Sequence, residues 1–277
     1  MPIFLPFALG GLALAALGLG VKRALEQQPP RPAFPEGTRA REAWARHPQA
    51  LEALKAARQR VKRQAQAYSE RQERARQETL EPFGALLARL ERWEHARATE
   101  VLTPEGQAAL RALPEGPTPR ALRVAWALWG VGAEAPSSLW PVLQWLENGW
   151  LAEDMPPVRI DGVSLYAAAS RDSTPTDETE AAQALEAACA ELHRATAFLD
   201  TLHERLQALD ARVTILHGRA AAQLAYLDAS SFEQEHPEPR ERLRRLGQLT
   251  GALAEALRLP VLEVSGSLAP PLAPLEG

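Results

Sequence analysis

The sequence predicts a mainly α-helical protein: an N-terminal transmembrane helix, long helices forming a coiled coil or helical bundle, and a small module of three helices plus a β-hairpin. Three observations carry that prediction. Ala, Leu, Arg, Glu and Gln recur in long runs almost free of Gly, a composition that favours helix by intrinsic propensity. Leu185, Leu192, Leu199, Leu206 and Val213 repeat every seven residues, with Ala195, Leu202, Leu209 and Leu216 three residues behind the last four, the a and d positions of a heptad pattern. Residues 3 to 21 carry no charge and as a helix would span about 28 Å, close to the roughly 30 Å core of a bilayer. At 277 residues the chain has room for one large core or two modest ones.

Residues 1–26 are read as a single-pass anchor. The first charges, Lys22 and Arg23, follow the apolar run rather than precede it, which opposes a cleaved export signal and places the C-terminal body in the cytoplasm by the positive-inside rule. The expected location is the cell (inner) membrane. Ala8, Gly11, Ala15 and Gly18 fall at steps of three and four, a face of small residues on which two such helices pack closely, so a homo-oligomer is an open expectation.

Residues 27–37 hold Pro29, Pro30, Pro32 and Pro35 and form an extended linker. Residues 38–99 read as a basic and then amphipathic long helix, mostly exposed, lightly packed or in a coiled coil because apolar residues are sparse in its first half, with Pro82 and Gly84 as its break. Net charge is distributed unevenly. Lys22 to Arg76 holds 14 basic against 6 acidic residues, while the whole chain has 31 against 35. Within it Lys55, Arg58, Arg60, Lys62 and Arg63 form an acid-free run, a solvated face or a contact with anionic lipid beside the span.

Residues 100–170 concentrate Trp, Pro and Gly. Thr103-Pro104 and Thr118-Pro119 read as helix starts, a capping hydroxyl followed by Pro in the first turn. A third short helix follows from Ser137, and Asp161-Gly162 between Ile160 and Val163 specifies a two-residue hairpin turn. This order is similar to a winged-helix arrangement. Its charge opposes DNA binding: Glu100 to Ser170 has four Arg and eight acids, whereas phosphate neutralisation supplies most DNA affinity. Trp140, Trp145 and Trp150 are candidate contacts for a protein partner.

Residues 171–268 are read as the long heptad helix, a fold-back helix and a short strand, and 269–277 as a flexible tail. His203, Asp210 and His217 share one helical line with Cys189 and Thr196, but at about 10.5 Å apart they cannot share one ion. No phosphate loop, dinucleotide loop, nucleophile elbow or paired Cys motif occurs. No catalytic residue, cofactor or metal site is predicted. The expected function is a membrane-anchored, non-enzymatic scaffold or regulatory adaptor for protein partners. The alternatives are a pore-forming or depolarising effector and a winged-helix DNA-binding regulator, with nucleic acid disfavoured as a partner.

Overall fold

The computed structural model describes residues 38–93, 95–148, 159–160, 163–164, 178–228 and 237–271. The predicted span, its face of Ala8, Gly11, Ala15 and Gly18, the Pro-rich linker and Trp150 lie outside the described residues. Among the described residues, no helix is long and apolar enough to cross a membrane.

The chain is mainly helical and bundle-like. Helix α1 spans Arg39–Ala75, a π-helical turn Arg76–Leu80 leads into α2, Glu81–Arg92, and α3 is the single turn Ala98–Val101. Then come α4, Pro104–Arg111, α5, Arg123–Trp129, and α6, Trp140–Asn148. Strands β1 (Arg159–Ile160) and β2 (Val163–Ser164) pair antiparallel, Arg159 opposite Ser164 and Ile160 opposite Val163. Helix α7 runs without interruption over Glu178–Asp228, passing through Gly218, and α8 spans Pro237–Arg258. Two compact units divide these elements, one from residues 1–63, 136–203 and 264–268, the other from 64–135, 204–263 and 269–277.

In the first unit, α1 buries Ala43, Ala50, Leu54, Ala57 and Val61, and α7 buries Ala182, Leu185, Leu192, Ala195, Leu199 and Leu202. Both sets recur at steps of three, four and seven residues, so each helix turns one stripe inward. Their pairing is parallel: Arg39 meets Glu186, Cys189 Sγ approaches the Ala43 carbonyl at 3.9 Å, and Arg60 meets Asp200 at 2.6 Å. The first half of α1 keeps most of its surface exposed and packs through this single inward stripe. Its inward stripe is alanine-rich, which brings backbones close while adding little hydropathy to an Arg- and Gln-rich window.

In the second unit, Phe83, Leu86, Leu87 and Leu90 of α2 join Val101, Leu224, Leu227, Leu243 and Leu246 in one buried cluster. Thr103 caps α4 as its sequence predicts, accepting from the Gly106 N–H at 3.1 Å. Helices α4 and α8 cross where Gly106 faces Gly251; a Cβ on Gly106 would stand 3.0 Å from the Gly251 Cα. Gly130 closes α5 at φ 90°, and a side chain there would strike the Arg258 carbonyl. That approach lets Val131 N–H donate to Leu257 O at 2.8 Å and Val261 N–H to Leu128 O at 2.8 Å.

The winged-helix-like arrangement is not supported. Compact packing divides residues 100–170 between Ala135 and Pro136. Helices α4 and α5 bury their faces on α8 and the chain after it, while α6 is held by α1. The two strands are two residues long and pair with each other. Element order in the sequence does not encode which neighbour covers each helix, and here distant segments cover them. Thr118 likewise does not cap the helix it precedes: its hydroxyl donates to Glu73 Oε2, and Pro119 stands at the start of the 3-10 turn Arg120–Leu122. After α8 the chain doubles back on itself, with Ala269 N–H donating to Val261 O at 2.9 Å.

Candidate functional site

Of the five cations in the basic run, Arg58 and Lys62 turn toward the C-terminal end of α6. Arg58 Nη1 donates to Leu146 O at 2.9 Å and Trp145 O at 3.4 Å; Lys62 Nζ donates to Glu147 O at 2.6 Å and lies 3.4 Å from its carboxylate. The last carbonyls of a helix have no partner within it and carry partial negative charge, so cations fit there. Burial pushes the Arg58 pKa down, opposed by the Glu147 charge, and the guanidinium stays protonated. Lys55 pairs with Glu52 at 2.6 Å, Arg60 with Asp200, and Arg63 Nε donates to Gln59 O at 3.2 Å.

Helix α6 thus has its end clamped, and this orients its Trp residues. Trp145 is 3% exposed among Val142, Leu143 and Leu146 of the buried face, while Trp140 is 43% exposed. The run and the Trp pair belong to one substructure, in which basic side chains hold the helix that presents Trp140.

The helical line on α7 resolves into separate pairings. In the first unit Thr196 Oγ1 turns back to Leu192 O at 2.8 Å, burial pushes the Cys189 thiol pKa up, and His203 Nδ1 is buried with no hydrogen-bond partner. In the second unit Asp210 pairs with Arg71. His217 Nδ1 lies 2.8 Å from Thr79 Oγ1, and its Nε2 lies 3.4 Å from Glu78 Oε2. The carboxylate favours the tautomer with hydrogen on Nε2, which leaves Nδ1 to accept from the Thr79 hydroxyl.

A hydroxyl, an imidazole and a carboxylate in that order also compose a nucleophile with its base and orienting group. Thr79 is fully buried, so its Oγ1 has no open face toward a reacting carbonyl. The trio instead satisfies the polar groups of a distorted helical turn. Pro82 has no N–H, and its ring would press on the carbonyl of Glu78, four residues earlier, in a regular helix. The widened turn Arg76–Leu80 immediately before it relieves that conflict.

Beside this turn lies a charge that is almost fully enclosed. The Arg76 side chain is 4% exposed. Its Nη1 donates to Glu73 Oε2 at 3.2 Å and Thr118 Oγ1 at 3.1 Å, and its Nη2 donates to Pro114 O and Gly116 O, both at 2.6 Å. The guanidinium carbon also stands 6.0 Å from the Trp126 ring centroid. Four acceptors and a ring pin the loop 114–118 to the helix. Sequence reasoning missed this network because Glu73 and Arg76 resemble the exposed charges around them; Pro82 was its one visible signal.

No family model matches this chain, and comparison with the curated proteins and with the solved structures found no match. What the coordinates establish is its class: a mainly α-helical, bundle-like protein.

Proposed function

We propose that the protein is a membrane-anchored, non-enzymatic helical scaffold or adaptor whose body binds a protein partner from the cytoplasmic face. One observation carries this reading: Trp140 stands exposed at the start of a helix whose other end is clamped by Arg58 and Lys62. A rigidly held exposed Trp is the side chain most often found at the energetic centre of an interface. The uncharged run of residues 3 to 21, followed by Lys22 and Arg23, supports the anchor.

The test places a photo-crosslinking side chain at position 140 of the full chain in cells, with position 207, an exposed Gln on α7, as the comparison site. A discrete adduct in the membrane fraction from position 140 and none from 207 is the expected result. Equal labelling at both positions, or recovery of the full chain in the soluble fraction, contradicts it. The face of Ala8, Gly11, Ala15 and Gly18 supports a second reading, a depolarising effector that oligomerises in the bilayer. A voltage-sensitive dye separates the two. Depolarisation by the full chain, lost without residues 1–27 and with Gly11→Leu plus Gly18→Leu, favours the effector.

A further inference from the structure

In the second unit, α7 turns one side to its core and leaves the other uncovered. Ala208, Ala211, Ile215, Gly218, Ala222 and Ala225 are exposed there, at alternating steps of three and four that set them on one line. Ile215 is 44% exposed. Arg219 is the only charge among the residues exposed between 207 and 226, and Glu204, exposed one turn before Ala208, has no partner among the described residues. This uncharged face is about 27 Å long and one helix diameter, about 10 Å, wide, or roughly 300 Å². Two separate chains need roughly 800 Å² per partner to hold together. The face therefore suits a segment tethered to it, whose effective concentration is on the order of millimolar.

We propose that this face receives residues 3–21 of the same chain, docked antiparallel as a helix whenever no bilayer takes them up. Those residues carry no charge, need cover in water, and as a helix match the face in length. One register satisfies charge and shape together. With Lys22 beside Glu204, Gly18 falls opposite Ala208, Ala15 opposite Ala211, Gly11 opposite Ile215 and Ala8 opposite Gly218, because both lines advance by the same steps. Small residues then meet small ones, which lets the backbones approach, and the one large side chain, Ile215, meets a glycine. The tether is long enough. Arg39 meets Glu186, which precedes Glu204 by 18 residues, about 27 Å of helix, while residues 22–37 extend to about 50 Å at polyproline spacing. A bilayer buries every side of residues 3–21 and α7 covers only one, so lipid displaces the contact. The inference rests on reading residues 3 to 21 as the span, and the experiment keeps the two separable.

The full chain carrying Cys189→Ala, Ala15→Cys and Ala211→Cys is prepared without detergent or lipid and oxidised. The expected result is a disulfide within one chain, and none when Ala222→Cys, about 16 Å further along the helix, replaces Ala211→Cys. Glu204→Arg removes most of the disulfide, Lys22→Glu plus Arg23→Glu in the same chain restores it, and phosphatidylcholine vesicles added before oxidation prevent it. The substituted positions on α7 are exposed, and circular dichroism verifies that each variant is folded. Equal yields at positions 211 and 222, no disulfide at 211, or a chain recovered only in detergent overturns the proposal. A disulfide joining two chains assigns the face to a second copy and overturns it as well. Flotation with the same vesicles reads the span independently. A chain that floats but forms no lipid-free disulfide sinks this proposal and leaves the span; a chain that does not float and keeps its disulfide in the presence of vesicles supports the docking and removes the span.

Discussion

His47 is buried on α1 with its Nε2 lacking any hydrogen-bond partner, and burial pushes its pKa down. The unfolded chain takes up this proton near the ordinary value of about 6.5 while the folded chain resists it. The resulting stability is therefore complete above that value and is lost as pH falls through it toward the lower folded pKa. Urea midpoints measured between about pH 8 and 5 should decline on the acid side, and His47→Leu should flatten that limb. At more acid pH the Arg39 hydrogen bond and charge that lower the Glu186 pKa give a second loss of the same sign, present above the ordinary carboxylate range and removed below it. Because that pair is on the surface, salt should weaken it. Arg76 is the opposite case, a buried charge with every partner in place. Arg76→Gln leaves Glu73 enclosed without its cation and should cost about 3 kcal/mol in urea unfolding; Glu73→Gln, whose amide still accepts from Thr118, should cost less.

Helix by helix, legibility in the sequence follows how much each buried stripe contrasts with its surroundings. The leucines of α7 stand out against Glu, Gln and Arg, and every predicted heptad position from Leu185 to Leu216 falls within the helix. The inward alanines of α1 do not stand out, since Ala occurs on every face of this chain. The close crossing of α8 was equally hidden: Gly247 and Gly251 are four residues apart, the spacing that makes one flat face, but two glycines in a helical run carry no mark of what they pack against. The structure gives Gly247 and Gly218 opposite roles. A Cβ on Gly247 would overlap the Val101 carbonyl, so Gly247→Ala should destabilise by about 2 kcal/mol or more. Gly218 has nothing within 4 Å of the same position, and Gly218→Ala should stabilise by about 0.5–1 kcal/mol, because it only removes freedom from the unfolded chain and from mid-helix. Thermal unfolding of the two variants side by side checks both signs.

For the molecule as a whole, the heptad pattern left open whether α7 pairs with its own chain or with a second copy. Leu185, Leu192, Leu199 and Leu202 are buried in the first unit, and Leu206, Leu209, Val213 and Leu216 in the second, all within one chain. Pairings that fix this arrangement join residues nearly 140 or more positions apart, such as Arg39 with Glu186 and Thr79 with His217, and no local pattern reports them. The basic run was visible for the same reason its role was not: charge can be counted along a sequence, while the α6 carbonyls that receive it come from elsewhere. A seam closed within one chain makes unfolding unimolecular. The body's thermal midpoint should then be independent of protein concentration over roughly a hundredfold range, whereas a seam shared between copies would raise it with concentration by mass action. Leu206→Ala should lower stability by about 2–5 kcal/mol at every concentration. Gly11→Leu plus Gly18→Leu should leave the midpoint unmoved by concentration, since any association through residues 1–26 is a separate equilibrium from the packing of α1 against α7. A midpoint that climbs with concentration, and falls back when the seam is cut, would instead assign the heptads to a dimer.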